Sequence, residues 1–277
     1  MVKIIADSCC DLSPELIKKY NVDIIPLNVL VNNQNYLDGV ELSPEQLFEA
    51  VNKSGELPKT SAPSIAAFTQ VFEKHPEFIY ISISSRLSAS FQSATIALDS
   101  LPNAKGAVID SLNLSTGIGL LVLKAAELAH QGKSLDELIV AITALVPLVN
   151  ASFVIDTLDY LYMGGRCSSI EHVFGSLLKI RPVIEVRKDG TLGVREKVSG
   201  SRKKGLSALL NNLAKNKDAI DPSRVFITHT VCLEDALYLK SEIEKILETK
   251  EISITNAGAT ISSHCGPNTI GILFLKQ

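Results

Sequence analysis

Along the first half of the chain, short aliphatic and β-branched runs alternate with segments of helical spacing. Residues 2–6 read as a buried strand, followed by Asp7-Ser8 and a helix over 14–20. Residues 23–31 form a second strand region. Ser43-Pro44-Glu45-Gln46 carries the signature of a helix start, with Ser43 as N-cap, proline at the first helical position and Gln46 completing a capping box. Residues 78–83 predict a strand, 90–100 a helix, 107–110 a strand and 116–131 a helix. This strand-then-helix alternation implies a Rossmann-like parallel sheet with helices on both faces.

The pattern changes near Val149-Asn150. A strand at 153–155 leads into a turn-rich stretch ending in Met163-Gly164-Gly165-Arg166. Two strand-like runs, 182–187 and 192–198, then flank Lys188-Asp189-Gly190-Thr191, and Asp-Gly between such runs is a strong hairpin signal. Strands at 224–229, 252–256 and 270–275 and a helix over 233–247 complete a second α/β unit. The expected architecture is α/β in two domains: an N-terminal parallel-sheet domain, residues 1–150, and a C-terminal domain with a mixed sheet, residues 151–277. No internal repeat or low-complexity segment is visible.

Composition narrows the function classes. The formal net charge of −3 gives no footprint for a nucleic-acid partner. Met1-Val2-Lys3 runs straight into a short strand, unlike a secretory leader, and no run of about 18 apolar residues predicts a membrane span. The most apolar stretch, 117–126, is interrupted by Lys124. The five cysteines (Cys9, Cys10, Cys167, Cys232, Cys265) are odd in number and lack CxxC spacing, so reduced thiols in a cytoplasm are expected. His264-Cys265 is the sole adjacent His/Cys pair, and neighbouring side chains do not easily share one metal, so neither metal nor cofactor is expected. With no tryptophan and 5% aromatics, the core must be aliphatic. Such residues suit an ordinary α/β interior and equally a tunnel for an aliphatic ligand.

Five polar clusters are candidates for chemistry. Asp7-Ser8-Cys9-Cys10-Asp11-Leu12-Ser13 follows the first strand, where ligands bind in open α/β folds, although turn and capping roles explain Asp11 and Ser13. Thr60-Ser61-Ala62-Pro63-Ser64 places hydroxyls before a helix opening, which suits an anion or a plain cap. The loop from Ser84 to Ala94 packs hydroxyls, Arg86 and Gln92 beside small residues, like a carboxylate or phosphate cradle, without the lysine and glycine spacing of a nucleotide loop. Gly164-Gly165 aims Arg166 from a loop, and Arg202-Lys203-Lys204 adds a basic helix start. His264 lies in a Gly-Pro-Asn-Thr context that favours a fixed, exposed ring. The serines and His264 also admit a hydrolase or phosphotransferase acting on a small anion, but no G-x-S-x-G elbow is present.

In this order, the clusters Asp7-Ser8-x-x-Asp11-Leu12, Thr60-Ser61-x-Pro63-Ser64, Ser84 to Ala94, Leu161-x-x-Gly164-Gly165-Arg166 and His264-x-Gly266-Pro267 resemble the DegV family of fatty-acid-binding proteins over essentially the whole chain. The resemblance implies a carrier, not an enzyme. A single long-chain fatty acid would lie between the domains, its carboxylate held by Thr60 and Ser61 and by Ser93 and Gln92 of the serine loop, with His264 acting indirectly. It further implies a cytoplasmic bacterial protein that presents the acid to the catalytic subunit of a fatty acid kinase for acyl-phosphate formation, feeding phospholipid synthesis. Arg166 and Arg202 would then stand outside the head group, facing the kinase or the new phosphate. A monomer is the simplest expectation for such a carrier, with transient contact to a membrane surface. Three positions depart from the family pattern: Ser88-Ala89-Ser90 replaces Ser-Gly-Thr, Arg181-Pro182 replaces Lys-Pro, and Asn268 stands where glycine is usual.

The energetics fit a carrier. Each buried methylene contributes about 0.8 kcal/mol, so a tail of about 15 offers on the order of 12 kcal/mol before association costs. The carboxylate must be hydrogen-bonded or its desolvation erodes that gain.

Overall fold

A computed structural model describes residues 1–166 and 180–277; Cys167 and Lys179 lie outside the described residues. In chain order the first part comprises β1 (Lys3–Asp7), α1 (Pro14–Lys19), β2 (Asp23–Ile25), β3 (Asn28–Val31), β4 (Gln34–Leu37), α2 (Pro44–Ser54), β5 (Lys59–Ser61), α3 (Ile65–Phe72), β6 (Glu77–Ser82), α4 (Ser90–Asp99), β7 (Lys105–Asp110), α5 (Thr116–His130) and α6 (Leu135–Leu145). The second comprises β8 (Val149–Val154), α7 (Asp159–Met163), β9 (Ile180–Val186), β10 (Leu192–Ser199), α8 (Arg202–Asn216), β11 (Ile220–His229), α9 (Leu233–Ile246), β12 (Ile252–Asn256), α10 (Ala259–Cys265) and β13 (Ile270–Lys276).

These elements form a two-domain α/β protein. One sheet is parallel throughout, in the order β2-β1-β6-β7. The other is mixed, in the order β10-β9-β8-β13-β11-β12, parallel at β11–β12 and antiparallel elsewhere. The Asp189-Gly190 hairpin joins β9 to β10, and its tip reaches the first domain: the Ser84 hydroxyl donates to Gly190 O at 2.9 Å.

Helix α5 lies between the two sheets, packed on β1 and β6 on one side and on β8, β11 and β13 on the other. This placement explains why residues 117–126 are the most apolar stretch. A helix covered on both sides has no polar face to present, and every residue from Thr116 to Leu123 is buried.

Two local readings change in three dimensions. The strand region 23–31 is two strands, because Pro26 has no N–H for a ladder and the chain turns there. β2 joins the parallel sheet, while β3 pairs with β4 and β5 in a small antiparallel sheet, order β4-β3-β5. Thr60 and Ser61 therefore sit on an edge strand and not on a helix cap. The cap of α3 is Ser64, whose Oγ accepts from Ala67 N at 3.2 Å.

Candidate functional site

A cavity opens between the mixed sheet and the loops at the C-terminal ends of β6 and β7. Its empty volume is about 850 Å³, open solvent at the mouth included. Leu27, Leu87, Leu114, Phe153, Leu192 and Leu273 supply an apolar wall. Polar groups gather where β5 meets α10: Thr60, Ser61, Ser88, Arg166 and His264 all line the cavity.

The central polar contact joins the two domains. His264 Nε2 lies 2.7 Å from Thr60 Oγ1, across 204 residues of sequence. His264 Nδ1 is buried and has no hydrogen-bond partner among the described residues. A buried orphan N–H is rarer and costlier than an orphan lone pair, so the proton is assigned to Nε2, which donates to Thr60 Oγ1. The Thr60 hydroxyl then turns its own proton toward an acceptor in the cavity.

Gly164 makes this geometry feasible. A Cβ there would lie 2.3 Å from His264 Nδ1 and 2.8 Å from Tyr160 O, so only a bare α-carbon fits against the ring. Gly165 follows with φ +67°, the left-handed region glycine tolerates. It turns the chain so that Arg166 points inward. Arg166 Nε donates to Leu87 O at 3.2 Å and Nη1 to Gly164 O at 2.7 Å. Arg166 is therefore part of the cavity wall.

His264 also differs from its expected setting. It occupies the last turn of α10 and is half-buried, not on an exposed loop. Burial, reinforced by the Arg166 charge, pushes its imidazole down to about 4. An unfolded chain binds that proton near pH 6.5. The unfolded state thus gains the proton first, and this group lowers stability as pH falls from about 6.5 to 4, by up to about 3 kcal/mol. Chemical denaturation of His264→Gln and the parent chain should show their difference shifting toward the variant by about that amount between pH 7 and pH 4. A pH-independent difference would refute the neutral buried ring.

The other expected site residues separate. Ser93 is half-buried and Gln92 exposed on the first turn of α4, and neither lines the cavity, whereas Ser88 from the same loop does. Arg202 lies away from the cavity lining. Its Nε donates to Asp235 and its Nη1 to Asp156 at 3.1 Å, while Nη2 is buried without a partner among the described residues. No carboxylate orients His264 among the described residues, and a ring held near 4 is a weak base at neutral pH, which disfavours a hydrolytic Ser/His pair.

The cluster after β1 has structural work. Asp7 is fully buried and accepts from Ile83 N at 2.8 Å, Tyr80 OH at 2.9 Å and Cys9 N at 3.1 Å; burial pushes it up to about 6 despite those bonds. Asp11, at φ +49°, joins the halves of the molecule by accepting from Ser115 Oγ at 2.6 Å and Gly258 N at 2.8 Å. Asn268 adopts φ +58°, so it fills the glycine-like position its chemistry permits. Thr228, His229 and Thr260 also line the cavity, beyond the residues expected from sequence. His229 and Thr228 sit in a plain strand pattern with no local signal, and Thr260 is placed by α10.

Comparison with known proteins agrees with the fold. The DegV family profile, described as an uncharacterised protein of the DegV family, matches residues 1–277. A DegV domain-containing protein of Caldanaerobacter subterraneus is 31% identical, covering 100% of this chain and 99% of the relative. Among solved structures, DegV of Bacillus subtilis, described as a fatty acid binding protein, has a TM-score of 0.91 at 29% identity, covering 100% of this chain and 99% of that one. A DegV family protein of Thermus thermophilus, described by its fatty acid binding, has a TM-score of 0.90 at 28% identity with the same coverage. The Fatty Acid Kinase (Fak) B3 protein of Streptococcus pneumoniae, loaded with linoleic acid, has a TM-score of 0.88 at 28% identity and covers both chains fully. With the fold, the ordered motifs and the full-length family match in agreement, this chain belongs to the DegV family.

Proposed function

We propose that this chain is a carrier that binds one long-chain fatty acid in the cavity and presents its carboxylate to a partner kinase for acyl-phosphate formation. The observation that carries the reading is the Thr60–His264 pair at the polar end of an apolar cavity. His264 Nε2–H fills one Thr60 lone pair, which leaves the hydroxyl proton for a carboxylate oxygen. Ser61 lies beside it on the cavity wall. Ser93 and Gln92, which follow Ser88 into α4, belong to the proposal as further head-group contacts. Arg166 supplies a nearby cation whose Nε and Nη1 are already held by carbonyls, so it attracts an anion without clamping it. Arg202, tied to Asp156 and Asp235, belongs to the proposal as a residue on the side of the kinase or the phosphate.

Neighbouring structures that bear fatty acids support the ligand class, and the likeness to the Fak B3 protein supports the kinase. Denaturing the purified protein and analysing the supernatant by mass spectrometry should release an acyl chain near one equivalent. Added ATP and a fatty acid kinase catalytic subunit should yield acyl-phosphate only when both proteins are present. A protein that releases no acyl chain and fails to take up added oleate would sink the reading.

Gly164→Ala offers a sharper check. Its Cβ would force the imidazole away from Thr60, and fatty-acid affinity should drop by about tenfold, the scale of one lost hydrogen bond. Unaltered affinity in fluorescence titration would show that the His264–Thr60 contact does not set the head-group site.

A further inference from the structure

The cavity has a second polar place, distinct from the Thr60 end. Thr260 is 3% exposed and lines the cavity, and its Oγ1 is buried without a hydrogen-bond partner among the described residues. This contrasts with the rest of α10, where Ser262 Oγ donates to Ala257 O at 3.4 Å and Ser263 Oγ to Ala259 O at 2.7 Å. A buried hydroxyl left unmatched is costly and calls for an occupant.

His229 supplies a donor on the same wall. It ends β11, is 6% exposed and lines the cavity. Cys232 N donates to its Nδ1 at 3.3 Å, so in the neutral ring Nδ1 accepts and Nε2 carries the proton. No hydrogen bond engages Nε2 among the described residues. Ala257 N donates to His229 O at 2.8 Å, which ties the end of β11 to the chain entering α10. That contact places His229 beside the first turn of α10, which holds Thr260.

We infer that His229 and Thr260 form a subsite for a neutral oxygen, a hydroxyl or keto group, carried partway along the acyl chain. This rests on the carrier reading and deepens it. The 1.5 Å rise per helical residue sets Thr260 about 6 Å along α10 from His264, so the oxygen belongs roughly five carbons or more from the carboxylate. The surroundings select against a second carboxylate. Asp11 accepts from Gly258 N at 2.8 Å, Asp38 is buried against Gly258, and Glu45, whose charge acts on His229, accepts from Asn256 at 3.0 Å. The acidic side chains near Gly258 and His229 disfavour a second anion there, whereas a hydroxyl can accept from His229 Nε2–H and exchange a hydrogen bond with Thr260.

The test is competition binding of octadecanoic acid against its monohydroxy positional isomers, on the full chain stripped of bound lipid. In the parent protein at least one mid-chain isomer should bind about tenfold more tightly than octadecanoic acid, the scale of one satisfied buried hydrogen bond. That ratio should fall to about one or below in Thr260→Val and in His229→Phe. If octadecanoic acid binds and no isomer gains over it in the parent protein, this inference is overturned and the carrier reading stands. If neither octadecanoic acid nor oleate binds, both fail. An advantage that persists undiminished in both variants also overturns the assignment of the subsite.

Discussion

Thr60→Val should weaken long-chain fatty-acid binding by about 10- to 100-fold, the worth of one hydrogen bond to a charged acceptor. Valine matches threonine in shape, so the cavity keeps its volume while the hydroxyl is lost. The ligand carboxylate loses its donor, and His264 Nε2–H loses the acceptor now 2.7 Å away. The second loss falls on the free protein as well, so unfolding stability should drop by about 1 kcal/mol. Isothermal titration and a denaturant melt separate the two effects. Parent-like affinity in Thr60→Val would remove the head group from this end of the cavity.

Leu121→Ala carries the largest expected stability effect. Leu121 is fully buried in α5, between the two sheets. Replacing it removes apolar contacts and leaves a cavity that neither rigid sheet can collapse to fill, at a cost of about 2–5 kcal/mol. Because α5 packs on both sheets, the loss should lower a single cooperative transition and not split it. Calorimetry should show one peak displaced downward by roughly 5–15 °C. A shift below about 1 °C, or a second peak from an unaffected domain, would show that α5 does not couple the two halves.

Much of the framework was legible along the chain because it depends on neighbours in sequence. The capping box at Ser43 and Gln46 forms as its spacing demands, with Gln46 N donating to Ser43 Oγ at 3.3 Å and Ser43 N to Gln46 Oε1 at 2.9 Å. The Asp189-Gly190 turn joins two antiparallel strands. The parallel sheet follows from strands separated by helices, whose crossovers bring successive strands into register in the same direction.

The site was less legible because its contacts run between distant segments. Thr60 reads equally as a cap and as a ligand group until β5 pairs with β3 and α10 brings His264 to it. The glycines at 164 and 165 announced an unusual backbone, but not that one makes room for a histidine far along the chain. Arg166 looked like an outward surface charge, and only the turn at Gly165 directs it to Leu87 O. His229 and Thr260 carried no local signal, since a histidine ending a strand and a threonine in a short helix are ordinary until both face one cavity.

By itself, then, the sequence determined the alternation of elements, their caps and turns, the aliphatic character of the interior and the ordered motifs of the family. Those properties rest on periodicity and on interactions within a few residues. The tertiary structure alone decided which hydroxyl faces the cavity, which histidine nitrogen holds the proton, and which arginine is already held by carboxylates. Each of those depends on burial and on a partner supplied from a distant segment, and a contact such as Thr60–His264, across 204 residues, leaves no trace in local pattern.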